Sequence, residues 1–225
     1  MRKFFLVLAM LATLLLCKGS DARYLDFKII LGDTESSKVD DVNAVSAKYW
    51  VRGGVGYYLL YSNVVSEFPD FVRAIRFFDE MRVWKVVIYL NSPGGSYFDG
   101  VAFSQLMIEE QSKGRIVEVR CYGLAASAAA LILASGSPGY RYIAHGSFVM
   151  VHEIWVFKWF EVENVSRIEK QAETLRKLQD QMIDLLITRI KLSKEELKKR
   201  CAEETWITAE EAVEWGFADH VVGKD

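Results

Sequence analysis

One serine, one histidine and a pair of glycines carry the chemistry this chain could do. Ser127 stands in CYGLAASAAALILASG (residues 121–136), among side chains selected for smallness. The strand-like run RIVEVRC (residues 115–121) ends at Gly123, and an Ala-rich apolar run of helical character begins around Ser127. The serine is therefore expected where a strand turns into a helix N-terminus. Unpaired backbone N–H groups and the positive end of the helix dipole stabilise an oxyanion there. A serine hydroxyl is a poor nucleophile until a neutral imidazole accepts its proton, and the imidazole needs an acceptor on its other nitrogen. Histidine limits the choice, because the chain has only His145, His152 and His220. His152 alone ends an apolar strand, SFVMVH, where its ring can face a cleft. Pro93-Gly94-Gly95, within NSPGGS, supplies a turn without side chains, through which a substrate carbonyl can approach backbone N–H groups. Each feature also has a plain structural counterpart: a helix packed tightly on a sheet, a satisfied histidine at a strand end, an ordinary turn.

The elements that must position these residues follow an α/β rhythm. YYLLYS (residues 57–62) reads as a strand. FVRAIRFFDEM (residues 71–81) reads as a helix with Phe71, Ile75 and Phe78 on one face. KVVIYL (residues 85–90) is apolar through its middle, as in a buried parallel strand. A helix over about residues 99–111 turns Ala102, Phe103, Leu106 and Met107 inward, and the strand leading to Ser127 comes next. Residues 161–190 contain neither Gly nor Pro, and Ile168, Leu175, Leu178, Met182, Leu185 and Leu186 recur at near-helical spacing, which predicts a long amphipathic helix. Ser193…Glu196 and Thr208…Glu211 are capping boxes that start two short helices, and Gly216 closes the second. Residues 23–56 hold two apolar pieces, FKIIL and AKYWV, around a polar stretch.

With 225 residues and 51% apolar content, one domain with one core is expected. Residues 1–22 have a basic start (Arg2, Lys3), an apolar run from Phe4 to Cys17 and small residues at Ser20 and Ala22. This pattern predicts a secretory signal peptide, with the mature domain spanning residues 23–225 and acting in the periplasm or outside the cell. The run is shorter than the roughly 20 residues of a spanning helix, so an uncleaved anchor is the weaker alternative. Removing the leader takes away three cations and one anion, which moves the formal charge from −2 to −4. No basic patch points to nucleic acid, and no phosphate loop to a nucleotide; no cofactor or metal is expected. Cys121 and Cys201 remain, able to pair outside the cytoplasm, though a buried small hydrophobe and a bystander are the commoner case.

NSPGGS, GLAAS, SFVMVHE and ITAEEAVEWGFAD, in that order and at these intervals, resemble the Clp protease proteolytic subunit family over nearly all of residues 57–222. The resemblance implies a crotonase-like α/β fold of stacked strand-strand-helix units with a long handle helix over residues 161–190. It also implies a serine peptidase with Ser127 as nucleophile and His152 as base. The family's aspartate falls on Glu204, one methylene longer, with Glu203 as a second candidate. Its backbone oxyanion hole falls on Gly94 and Ala128. Glu153-Ile154 stand where the family often has Gln-Pro. The family handle pairs rings, which implies a homo-oligomer acting on peptides or unfolded segments. Export would separate the chain from the cytoplasmic ATPases that feed the family, so no such ATPase is expected as a partner.

Three further readings compete with an exported peptidase. One is an inactive relative serving as an oligomeric binding module, suggested by Glu204. Another is an acyl-coenzyme A enzyme on the same fold, against which the triad and export argue. The last is a Ser-Lys peptidase in which Lys170 or Lys177 replaces His152.

Overall fold

The computed structural model describes residues 48–155 and 164–224. The leader expected over residues 1–22, the FKIIL stretch and residues 161–163 of the expected long helix lie outside the described residues. Strands β1 (Tyr49–Arg52) and β2 (Val55–Leu60) form an antiparallel hairpin, and β2 lies parallel to β3 (Lys85–Ser92). Helix α1 (Glu67–Glu80) makes that crossover. Its Phe71, Ile75 and Phe78 are buried, the face that the spacing predicts. Helix α2 (Tyr97–Ser112) crosses from β3 to the parallel β4 (Ile116–Ala126) and buries Phe103 and Met107, whereas Ala102 and Leu106 are only half-buried. The two helices meet on stacked rings, Phe71 over Phe103 at 3.8 Å between centroids, with Tyr58 of β2 edge-on to both. Each such side chain contributes about 1.5–3 kcal/mol by leaving water.

Strand β4 runs past Gly123, where the sequence pattern ends it, and the reason is a change of neighbour. Residues 119–121 pair with β5 (Arg141–Ala144), while residues 124–126 pair with β6 (Phe148–Val151), both parallel. At the crossing point the Gly123 N–H donates to Ser147 Oγ at 2.8 Å. Helix α3 (Ala128–Ala134) follows β4 with Ser127 as the single residue between them. All seven residues of α3 are buried. The strand order is β1-β2-β3-β4-β5-β8, with β6 branching from β4 and carrying β7 (Thr205–Thr208) antiparallel to it; β8 is His220–Val222. Strands β5, β7 and β8 have three or four residues each, too few for a periodic pattern to declare itself.

The long helix is α4 (Val165–Ile187). It buries Met182, Ile183 and Leu186 in its C-terminal half, whereas Val165 and Ile168 near its start are 71% and 53% exposed. Helices α5 (Lys194–Ala202) and α6 (Ala209–Glu214) both begin in fully formed capping boxes, at Ser193/Glu196 and Thr208/Glu211, as their sequences predict. Such an N-cap is worth about 1 kcal/mol. Cys121 and Cys201 are both buried and free. No helix among the described residues is long and apolar enough to cross a membrane.

A buried guanidinium ties these pieces together. Arg141 of β5 donates to the Gly216 and Arg189 carbonyls at 2.7 and 2.9 Å, at the ends of α6 and α4, and Nε donates to Asp219 Oδ2 at 2.9 Å. Asp219 also accepts the N–H groups of Gly139 and Arg141. Burial alone would raise the Asp219 carboxyl, but the hydrogen bonds and charge of Arg141 outweigh it and hold the group below the usual carboxylate range. A carboxylate depressed on folding stabilises the native state fully above its unfolded value, about 3.9, and loses that contribution as pH falls through the folded value. Asp219→Asn should therefore lower stability by about 3 kcal/mol at neutral pH, because it leaves a buried cation short of its counter-charge. The gap to the unsubstituted chain should narrow below pH 4. A urea midpoint unchanged at pH 7 would contradict this role.

Candidate active site

Ser127 is held from both sides by its own backbone. Its N–H continues the β4–β6 ladder by donating to the Met150 carbonyl at 2.8 Å, and its carbonyl accepts from the Ala130 N–H at 3.0 Å in the first turn of α3. To belong to both, the residue takes φ 55°, ψ −122°, a region a non-glycine side chain enters at a cost of about 1–3 kcal/mol. The side chain makes no capping bond to its own helix and lines a cleft instead. The expected strand-to-helix junction is thus present and sharper than a loop would make it.

The Pro-Gly-Gly turn leans directly on this junction. A Cβ at Gly94 would lie 2.5 Å from the Ala126 carbonyl oxygen and 2.7 Å from Ser127 Cβ, and the residue has φ +89°, so only glycine fits. The Gly94 N–H, expected in an oxyanion hole, donates to Ser92 Oγ at 3.1 Å, and that hydroxyl in turn donates to the Ser62 carbonyl at 2.6 Å. Its neighbour Gly95 lines the cleft beside Ser127 and Ala128. Among the described residues, neither the Gly95 nor the Ala128 N–H has a hydrogen-bond partner. The NSPGGS motif identified the turn, and only the observed Ser92 bond separates the two glycines.

His152 follows β6 directly and lines the same cleft. His145 and His220 lie elsewhere, exposed, on Glu210 Oε1 and the Gly139 carbonyl. The ring of His152 meets the Trp155 indole edge-on, centroids 4.9 Å apart, and its Nδ1 is buried without a hydrogen-bond partner. The β6–β7 ladder ends at the pair Val151–Thr205, and His152 and Glu204 are the residues that adjoin this last rung in the chain. Glu204 takes φ 48°, its N–H donates to the Cys201 carbonyl, and its side chain is exposed rather than bonded to the imidazole. Glu203 faces the cations of α5, with Lys199 and Arg200 each at 3.9 Å. Lys170 and Lys177 are exposed on α4, Lys177 paired with Glu173, and neither lines the cleft.

The cleft encloses about 270 Å³, and Val101, Leu131, Ile154, Trp155 and Met182 make its walls largely apolar. Tyr97 stands at its rim, its phenol pushed up by burial and donating to Gln181 Oε1. Trp155 had no signal in the sequence beyond its closeness to His152. Met182 was visible only as a helix position. Such a space suits an apolar side chain set beside a hydroxyl, an imidazole and two free backbone N–H groups.

Fold and cleft together define a mixed α/β protein with a serine and a histidine brought to one apolar pocket. The chain belongs to the Clp protease family: the family model so described matches residues 67–225, which takes in every element from α1 onward. Over 136 residues it is 35% identical to the ATP-dependent Clp protease proteolytic subunit 1 of Corynebacterium diphtheriae, covering 60% of this chain and 63% of that protein. Over 137 residues it is 32% identical to the protein of the same name from Bifidobacterium longum, covering 61% of this chain and 57% of that protein. The chain therefore spans somewhat under two thirds of the length of these relatives.

Because Gly94 sits against both Ser127 and the Ala128 N–H, Gly94→Ala should push the turn away from the serine while leaving the distant core packed. Reaction of Ser127 with a fluorophosphonate should fall by at least about tenfold, since a displacement of an ångström costs rates of that order. A labelling rate equal to that of the unsubstituted chain would show that the turn takes no part.

Proposed function

We propose that this chain is a serine peptidase, with Ser127 as nucleophile, His152 as base and Glu204 as the acid that orients the base. The observation that carries the reading is the convergence of Ser127, His152, Gly95 and Ala128 on one apolar cleft. In the first step Ser127 Oγ attacks the substrate carbonyl carbon while its proton passes to His152 Nε2, and the carbonyl oxygen becomes an oxyanion. The Gly95 and Ala128 N–H groups receive that charge in place of the Gly94 N–H, which Ser92 already holds. The C–N bond then breaks, the amine leaving with the proton from His152, and an acyl-Ser127 ester remains. Water, deprotonated by the same imidazole, cleaves the ester and restores the hydroxyl.

Glu204 supports this reading by its place in the chain, directly before Thr205, which pairs with the residue preceding His152. A change of side-chain rotamer would be needed to bring its carboxylate to the buried Nδ1. The apolar walls favour a substrate with an apolar side chain next to the scissile bond, presented by a peptide or an unfolded segment. The leader-like pattern of residues 1–22 supports action outside the cytoplasm without an ATPase. An inactive relative is the second reading, favoured by one observation: His152 Nδ1 has no acceptor while Glu204 faces solvent.

Intact-mass analysis after fluorophosphonate treatment separates the two. One adduct is expected on the unsubstituted chain and none on Ser127→Ala; peptidase activity persisting undiminished in Ser127→Ala would refute the nucleophile. Glu204→Gln should slow acylation by a factor of about 10 to 10⁴ with the fold intact, while Glu203→Gln should do little. Near-normal rates in both would leave His152 without an acidic partner.

We also propose that the chain self-associates through α4, on the exposed Val165 and Ile168 near its start. Light scattering at micromolar concentration should report an oligomer that Ile168→Glu splits. A monomer before substitution would refute it. Met182 is unsuited to this test because it lines the catalytic cleft.

A further inference from the structure

We propose that Gln179 of α4 is a positioning residue for His152, acting through the backbone of Ile154; this rests on the peptidase reading of the cleft. Residues 152–155 belong to no strand or helix, so the imidazole is carried on a short free segment beyond β6. Gln179 Oε1 accepts the Ile154 N–H at 2.9 Å and pins that segment two residues past the histidine. Ile154 itself lines the catalytic cleft on one side and, on the other, a second cavity of about 440 Å³ between the segment, α4 and α5.

Two buried side-chain polar atoms lack a hydrogen-bond partner among the described residues: His152 Nδ1 and Gln179 Nε2. One belongs to the 152–155 segment and the other side chain reaches that segment from α4. A buried amide whose nitrogen is left unpaired is costly, and an apolar residue of similar shape would avoid that cost. The acceptor oxygen is therefore what the position requires. The Gln179 side chain lies near Cys201, whose thiol is pushed up to about 11 by burial, then by the Glu153 carboxylate, and drawn back by the Gln179 side chain. Among the described residues, the Gln179 tether at Ile154 and the edge-on contact with Trp155 both act to restrain the ring.

The test uses the full chain with Gln179→Met, close in shape but without the acceptor, and Gln179→Glu, which keeps an acceptor oxygen beside Arg176 and Lys198. Gln179→Met should slow fluorophosphonate labelling of Ser127 about tenfold, and Gln179→Glu should stay within about threefold of the unsubstituted chain. In a His152→Ala background Gln179→Met should have no further effect, since groups that act through one another do not add. An equal loss in both backgrounds would overturn the proposal. A second readout does not depend on reactivity: Gln179→Met should speed amide exchange at Ile154 and shift the His152 ring resonances in NMR spectra. Unchanged ring resonances would overturn it as well. An unsubstituted chain that never labels, with the ring shift present, would remove the peptidase reading and leave the tether standing.

Discussion

The backbone of Ser127 is the constraint on which the site depends. Its N–H belongs to a sheet and its carbonyl to a helix, and no residue intervenes to absorb the change of direction. The strain of a positive φ at a side-chain-bearing residue is sustained because both neighbours are over-determined: β4 is paired on both sides, and α3 is buried along its whole length. The direction of the Cα–Cβ bond is thereby decided by backbone hydrogen bonds to two different elements, which is a rigid way to aim a side chain.

The small residues around the serine follow from that placement. A Cβ at Gly100 of α2 would fall 2.7 Å from the Ala128 Cβ, so α2 and α3 touch nearly backbone to backbone. The site's walls can therefore be thin, and the Gly95 and Ala128 amides can come to the same cleft without side chains between them. The histidine side is built differently. Its segment leaves the sheet after Val151, and among the described residues Gln179 bonds it at Ile154 while Trp155 meets the ring edge-on. A serine fixed by sheet and helix and a histidine on an irregular segment thus share one pocket.

Much of this was legible in the sequence, for identifiable reasons. The buried face of α1, Phe103 and Met107 of α2, the buried run of β3 and both capping boxes are local patterns, and local patterns are what spacing encodes. Ser127, His152 and the Pro-Gly-Gly turn were visible because chemistry restricts residue type. The continuation of β4 past Gly123 was not legible, since it depends on a second strand arriving from 24 residues downstream. The same holds for the choice between Gly94 and Gly95, which turns on the hydroxyl of Ser92. Glu204 is the reverse case. Its position along the chain was readable and it adjoins the last rung of the β6–β7 ladder, but the rotamer of an exposed carboxylate is written in no pattern of residues.

The pairing of β5 with β8 bears on the order in which the molecule can assemble. Arg141 finds its carboxylate 78 positions later, and β5 is flanked by β4 on one side and by residues 220–222 on the other. Parallel strands brought together over such separations form late, because the chain must close long loops before any contact rewards it. During synthesis Ser127 and His152 emerge well before the strand and the aspartate that lock the adjoining edge of the sheet. A nascent chain thus carries the cleft's serine and histidine on an unfinished scaffold, and the sheet edge beside them closes only when the ribosome has delivered residue 222.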